Sequence, residues 1–150
     1  MESGDVDIVM KFIFLFVLTA LSPLFAAEGV TLTVTVTGIP GVKGDMLIGL
    51  YNSAESFTDT PLPESPKITL ITKDDLVATI ENVKPGTYAI AVIQDLNQNG
   101  VLDKNFLGIP KEPLAFSVIK KIPMGKPKFA DCSFEVKEED MALIIPLTVE

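Results

Sequence analysis

The run Asp95-Leu96-Asn97-Gln98-Asn99-Gly100-Val101-Leu102-Asp103 places oxygen-bearing side chains at Asp95, Asn97, Asn99 and Asp103, with a glycine where the backbone must turn sharply. Calcium takes about six to eight hard oxygen ligands at flexible distances, and this order of donors is the first three-quarters of a calcium loop. With Asp95 as position one, Val101 offers its backbone carbonyl at position seven and Asp103 stands at position nine. Position twelve, where a bidentate Glu belongs, is Phe106, so Glu112, Asp131 or a carbonyl near Leu107 must complete the shell. The candidate metal ligands are therefore Asp95, Asn97, Asn99, Val101, Asp103 and Glu112. Calcium fits them better than magnesium, which demands a stricter octahedron with several waters. Two formal charges from the loop imply weak affinity, on the order of 10⁻⁴ to 10⁻³ M. The same residue types also suit a tight loop without an ion, because Asp and Asn bond their own backbone and tolerate positive φ.

Other chemistry is sparse. The chain has no His, Trp or Arg, and one Cys. Without His, the usual base for serine or cysteine hydrolysis is missing, and a zinc site would need His or a second Cys. Glu112 with Asp95 or Asp103 leaves a carboxylate hydrolase of the glycosidase kind as an alternative, but the expectation is a non-enzymatic protein. Tyr51, Tyr88, Phe57 and Phe106 are either an aromatic sugar platform or anchors of core and loop. Cys132 cannot form an intrachain disulfide. In Phe129 to Val136 it shares an apolar alternate set with Ala130, Phe134 and Val136, which predicts a buried core thiol.

The 150 residues suit one domain behind a removable leader. Lys11, the apolar run Phe12 to Phe25 and the small pair Ala26-Ala27 have the layout of a secretory signal, expected to span 1–27 with Met10 as the true start. Residues 28–150 then form the mature domain. Without Glu2, Asp5, Asp7 and Lys11 the formal charge of −8 becomes −6. An acidic chain without arginine is unsuited to nucleic acid, whose affinity rests on phosphate neutralisation. No membrane span is expected after cleavage, and the expected location is periplasmic or extracellular.

The elements that must position the loop read as strands. Val30 to Thr37 alternates Val, Leu, Val, Val against four threonines, a half-buried strand. Met46 to Tyr51 is apolar on both sides, as a central strand would be. Strands are also expected at Lys67 to Thr72, Leu76 to Ile80, Tyr88 to Gln94, Leu114 to Ser117, Phe129 to Val136 and Met141 to Val149. Ser53 to Phe57 suits one helical turn capped by Ser53. Pro85-Gly86 is a turn, and 95–128 reads as one long loop. About seven or eight short strands with turns between them predict an all-β, antiparallel Greek-key β-sandwich, transthyretin-like or immunoglobulin-like.

The segment Ile80-Glu81-Asn82-Val83-Lys84-Pro85-Gly86-Thr87-Tyr88-Ala89 resembles the Pro-Gly-x-Tyr hairpins of transthyretin-like and collagen-adhesin B-type sandwiches. Tyr88 through the Asp95 loop to Leu107-Gly108-Ile109-Pro110-Lys111-Glu112 and Phe116-Ser117 is similar to a family of uncharacterised secreted bacterial proteins, a domain of unknown function. In that family a His often precedes the first Asp and a Gly-Phe-Ser segment follows the Glu. This chain has Gln94 and Ala115-Phe116-Ser117 at those places. The resemblance implies no activity. Together these readings predict an exported envelope module with a calcium-ordered loop, in a binding or structural role. Its expected partner is an envelope protein, peptide or glycan. The alternatives are a carbohydrate- or peptide-binding protein using 95–128, or a carboxylate-dependent hydrolase.

Overall fold

A computed structural model describes residues 29–68, 75–119, 123 and 125–147. The expected signal segment, the start at Met10 and the far ends of the third and last expected strands lie outside the described residues. Within them, eight strands form two sheets: β1 (Val30–Thr37), β2 (Asp45–Tyr51), β3 (Lys67–Ile68), β4 (Leu76–Val83), β5 (Gly86–Asp95), β6 (Leu114–Phe116), β7 (Ser133–Val136) and β8 (Met141–Pro146). The smaller sheet has the order β4-β1-β8. The larger runs β3-β2-β5, with β6 and β7 both paired to β5. The all-β sandwich expected from the sequence is the observed fold.

Strict alternation gives β1 its role. Val30, Leu32, Val34 and Val36 are buried, while the intervening threonines are only half-buried. Their inward face meets Ile48, Leu50, Ile80, Ile90, Val92 and Ile145 in the core between the sheets. Full burial of each such side chain is worth about 1.5–3 kcal/mol. β2 lies between β3 and β5, as its two-sided apolar sequence requires. Its outer face and that of β5 are covered by a second core containing Tyr51, Phe57, Ala89, Ala91, Leu114, Phe116 and Cys132. Phe57 stands edge-on to Tyr51 at 5.4 Å and to Phe129 at 5.8 Å. Ser53 does cap the turn that carries Phe57, its Oγ accepting the Ser56 N–H at 3.3 Å.

Three expectations need correction. Not every pairing is antiparallel: β1 and β8 run parallel, from Leu32↔Met141 to Thr37↔Pro146. The Pro85-Gly86 turn does not close a hairpin, because β4 belongs to one sheet and β5 to the other. It carries the chain across the sandwich. Phe129 to Val136 is not a continuous strand, since Phe129–Cys132 forms a helical turn, α1, before β7 begins at Ser133. Ala130 is consequently exposed, Cys132 is fully buried, and Phe134 is only partly buried against the main core. A turn of four residues is too short to interrupt an alternating pattern visibly.

β5 is the backbone of the larger sheet. β2 follows one edge from Asp45↔Asp95 to Tyr51↔Ala89. The other edge is shared: β7 pairs with Gly86 to Ala89, and β6 with Ala91 to Ile93. Ile90 falls in the gap. Ser117 fills it, its Oγ accepting the Ile90 N–H at 2.8 Å and its N–H donating to the Ile90 carbonyl at 2.9 Å. The same hydroxyl donates to the Cys132 carbonyl at 2.5 Å, so β5, β6 and α1 meet at one buried oxygen.

Candidate functional site

β5 delivers Asp95 to the rim of the larger sheet, and β6 begins two residues after Glu112. The ladder between them extends to the Gln94 N–H, which donates to the Pro113 carbonyl at 2.9 Å. Residues 95–112 therefore leave and rejoin the sheet at neighbouring positions. The long loop expected over 95–128 is thus divided by β6, and its first part is an ordered, closed excursion.

Asp95 is fully buried. One carboxylate oxygen accepts the Asn99 N–H at 3.2 Å and the other the Gly100 N–H at 2.6 Å. Asn97 Oδ1 accepts the Asn99 N–H at 3.2 Å, and Asn99 Oδ1 accepts the Val101 N–H at 3.0 Å. Gln98 and Gly100 adopt positive φ, 62° and 81°, which closes the coil. Asp103 is the hub: its Oδ2 accepts from the side-chain amides of Asn97 at 2.5 Å and Asn99 at 3.2 Å. The structure thus brings Asp95, Asn97, Asn99, Val101 and Asp103 into one bonded coil.

Glu112 closes this coil from the far side. It is buried, with Oε1 accepting the Leu96 N–H at 2.9 Å and Oε2 the Asp103 N–H at 3.0 Å. An ion drawing on Glu112 would share oxygens already committed to the backbone. Phe106, at the twelfth position, is 94% exposed. Glu112 points inward, while Phe106 and Lys111 are exposed. Among the described residues no group of three or more His, Cys, Asp or Glu side chains is arranged to hold a metal ion. What converges on Asp103 is the pair of NH₂ groups of Asn97 and Asn99, while the side-chain oxygens of Asp95, Asn97 and Asn99 accept backbone N–H groups of the coil.

Sequence reading passed over two supports. Gln98 donates to the buried Asp45 carboxylate at 2.8 Å, tying the crown of the coil to the start of β2. Gly44 lies so close beneath that a Cβ there would stand 2.2 Å from the Asp95 carbonyl oxygen. Gln94, at the place where the resembling family often has His, faces the opposite side of β5. Its amide donates to the carbonyls of Gly41 at 3.0 Å and Lys43 at 2.9 Å, which fixes the β1–β2 connection.

Of the two readings of the aromatic residues, that of core anchors holds for three. Tyr51, Phe57 and Tyr88 are buried, and Phe106 alone of the four is exposed. At the other end of the sandwich, a cleft of about 160 Å³ is lined by Leu50, Asn52, Leu62, Glu64, Asn82, Val83, Lys84 and Tyr88. Burial, and then the Glu64 carboxylate, raise the Tyr88 hydroxyl above its ordinary pKa.

A two-sheet all-β sandwich with a polar, self-bonded loop at its rim defines the class of this protein. Residues 34–143 match the model of the family described as "uncharacterized protein conserved in bacteria", DUF2141. The chain belongs to that family, and the match contains the whole Asp95 to Glu112 excursion. No curated protein and no solved structure matches the chain. No helix of the described residues is long and apolar enough to cross a membrane.

Proposed function

We propose that this chain is an exported, non-enzymatic module of the cell envelope, periplasmic or extracellular, whose Asp95 to Asp103 coil is ordered by weakly bound calcium. The carrying observation is the gathering of both Asn97 and Asn99 amides on one Asp103 carboxylate oxygen. A divalent cation would gather the same residues with more charge, on oxygens of Asp95, Asn97, Asn99 and Asp103 and the Val101 carbonyl, once the Asn97 and Asn99 amides turn their oxygens inward. Export is supported by the Lys11 to Ala27 segment. The non-enzymatic reading is supported by the carboxylates. Asp95 and Glu112 spend all four of their oxygens on backbone N–H groups, so neither is a free acid or base. Recognition of an envelope protein, peptide or glycan would then fall to the ordered excursion, since loops held on rigid scaffolds carry binding. The deciding experiment is thermal unfolding of the chain with calcium, with magnesium and with chelator. A melting temperature that rises with calcium and falls back with chelator supports the proposal, and one indifferent to calcium removes the ion from it.

A further inference from the structure

Residues 104–110 form a short rigid finger beyond the coil. Its base is two-stranded, with Lys104 bridged to Pro110 and the Lys111 N–H donating to the Asp103 carbonyl at 2.9 Å. Asn105 builds its tip. The Asn105 N–H donates to the Ile109 carbonyl and the Gly108 N–H to the Asn105 carbonyl, both at 2.9 Å. The Asn105 side-chain oxygen accepts the N–H groups of Leu107 at 2.9 Å and Ile109 at 3.0 Å. What this frame holds outward is apolar: Phe106 is 94% exposed, Leu107 68% and Ile109 54%. Every other described phenylalanine is at least partly buried, so the exposure of Phe106 is specific to this place.

Charge is sorted along the same segment. Lys104 and Lys111, one on each strand of the base, are exposed. The Glu112 carboxylate is buried, and Asp103 turns an oxygen into the coil. A chain with a net charge of −8 therefore offers a local apolar point flanked by two amines. A protein–protein interface of ordinary size needs about 800 Å² per partner, more than a convex tip of three side chains presents. A bilayer boundary has no such requirement, because partition scales with apolar area plus attraction of cations to anionic headgroups.

We propose that the 104–110 finger is a membrane-contact element that inserts Phe106, Leu107 and Ile109 at the headgroup boundary of an anionic phospholipid surface, with Lys104 and Lys111 at headgroup level. The frame is made of bonds within the chain, so the inference does not rest on calcium. Because the chain has no Trp, Phe106→Trp places a single reporter at the tip. It reads the finger itself, whatever the apolar residues 12–25 do in the full chain. With vesicles of phosphatidylglycerol and phosphatidylcholine, its emission should shift to the blue and be quenched by brominated lipid. Ile144→Trp, on the outer face of the smaller sheet, should not respond. Reversing charge with Lys104→Glu and Lys111→Glu in the reporter background should weaken the response about tenfold or more. Leu107→Trp provides a second reporter of the same insertion. Unchanged emission from both tip reporters overturns the proposal and leaves the finger to a protein partner. Equal quenching in pure phosphatidylcholine overturns the anionic requirement. A blue shift that grows with protein concentration in lipid-free buffer assigns the tip to a second copy of the chain, and overturns it as well.

Discussion

The Ser117 hydroxyl accepts the Ile90 N–H at 2.8 Å and so does the work of a strand residue at the rung of β5 that falls between β6 and β7. Ser117→Ala would leave the Ile90 N–H and the Cys132 carbonyl without this buried partner. The expected cost is about 2–4 kcal/mol, read from urea unfolding with an unchanged m-value. Ser117→Thr, which keeps the hydroxyl, should recover part of it. A cost near zero for the alanine variant would show that the rung is bridged some other way.

Glu112→Gln tests the closure of the coil. The exchange keeps one acceptor oxygen but turns an NH₂ group towards a backbone N–H that needs an acceptor. A loss of about 1.5–3 kcal/mol is expected, together with faster amide hydrogen exchange at Leu96 or Asp103. If exchange at both amides stays slow, the clamp is not what holds the excursion shut.

If the coil binds calcium only when folded, as proposed, the ion stabilises the fold by linkage. At about 100 times the dissociation constant, the gain in stability should be about 2.7 kcal/mol. Asp103→Ala should abolish that gain and also cost stability in chelator, since the two amides of Asn97 and Asn99 lose their shared acceptor. An Asp103→Ala protein that still gains stability from calcium would place the ion elsewhere.

Cys132 gives the pH dependence. Burial, and then the Asp131 carboxylate, push its thiol from 9.0 up to about 11. The folded chain holds this proton after the unfolded chain has released it. The contribution is therefore intact below about pH 9 and is lost as pH rises towards 11. Unfolding free energy measured from pH 8 to 11 should decline, and Cys132→Ala should flatten part of the decline. The remainder belongs to groups such as Tyr51, raised by burial and then by Asp59, and Tyr88, raised by burial and then by Glu64. Native Cys132 should also resist a thiol reagent until the chain unfolds, and rapid labelling at pH 8 would contradict its burial.

What could be read from the sequence was local and periodic. The alternation in Val30 to Thr37 has period two and admits no helix, so β1 was legible to the residue. The Asp95 to Asp103 spacing made the coil legible because Asx residues and Gly act on their own backbone. The pairing of β1 with β8 was not legible, since Leu32 and Met141 are neighbours only through the whole intervening chain. Glu112 could be named as a partner of the loop, but its binding of two backbone N–H groups depends on β6 rejoining β5. Ser117 was legible as a strand end and as part of the family-like segment, but its hydroxyl's role was not. A serine becomes structural only where two strands happen to leave a rung open between them.

The excursion that departs at Asp95 and returns at Pro113 gives the family a place where it can vary. Because its two ends already sit on adjacent rungs, the sheet has no geometric stake in its length. Doubling such a segment adds only about 0.6 kcal/mol of closure entropy. Coil and finger could therefore be lengthened, trimmed or exchanged between related chains while both sheets keep their registers. Selection can then act on what this rim touches separately from what keeps the sandwich folded.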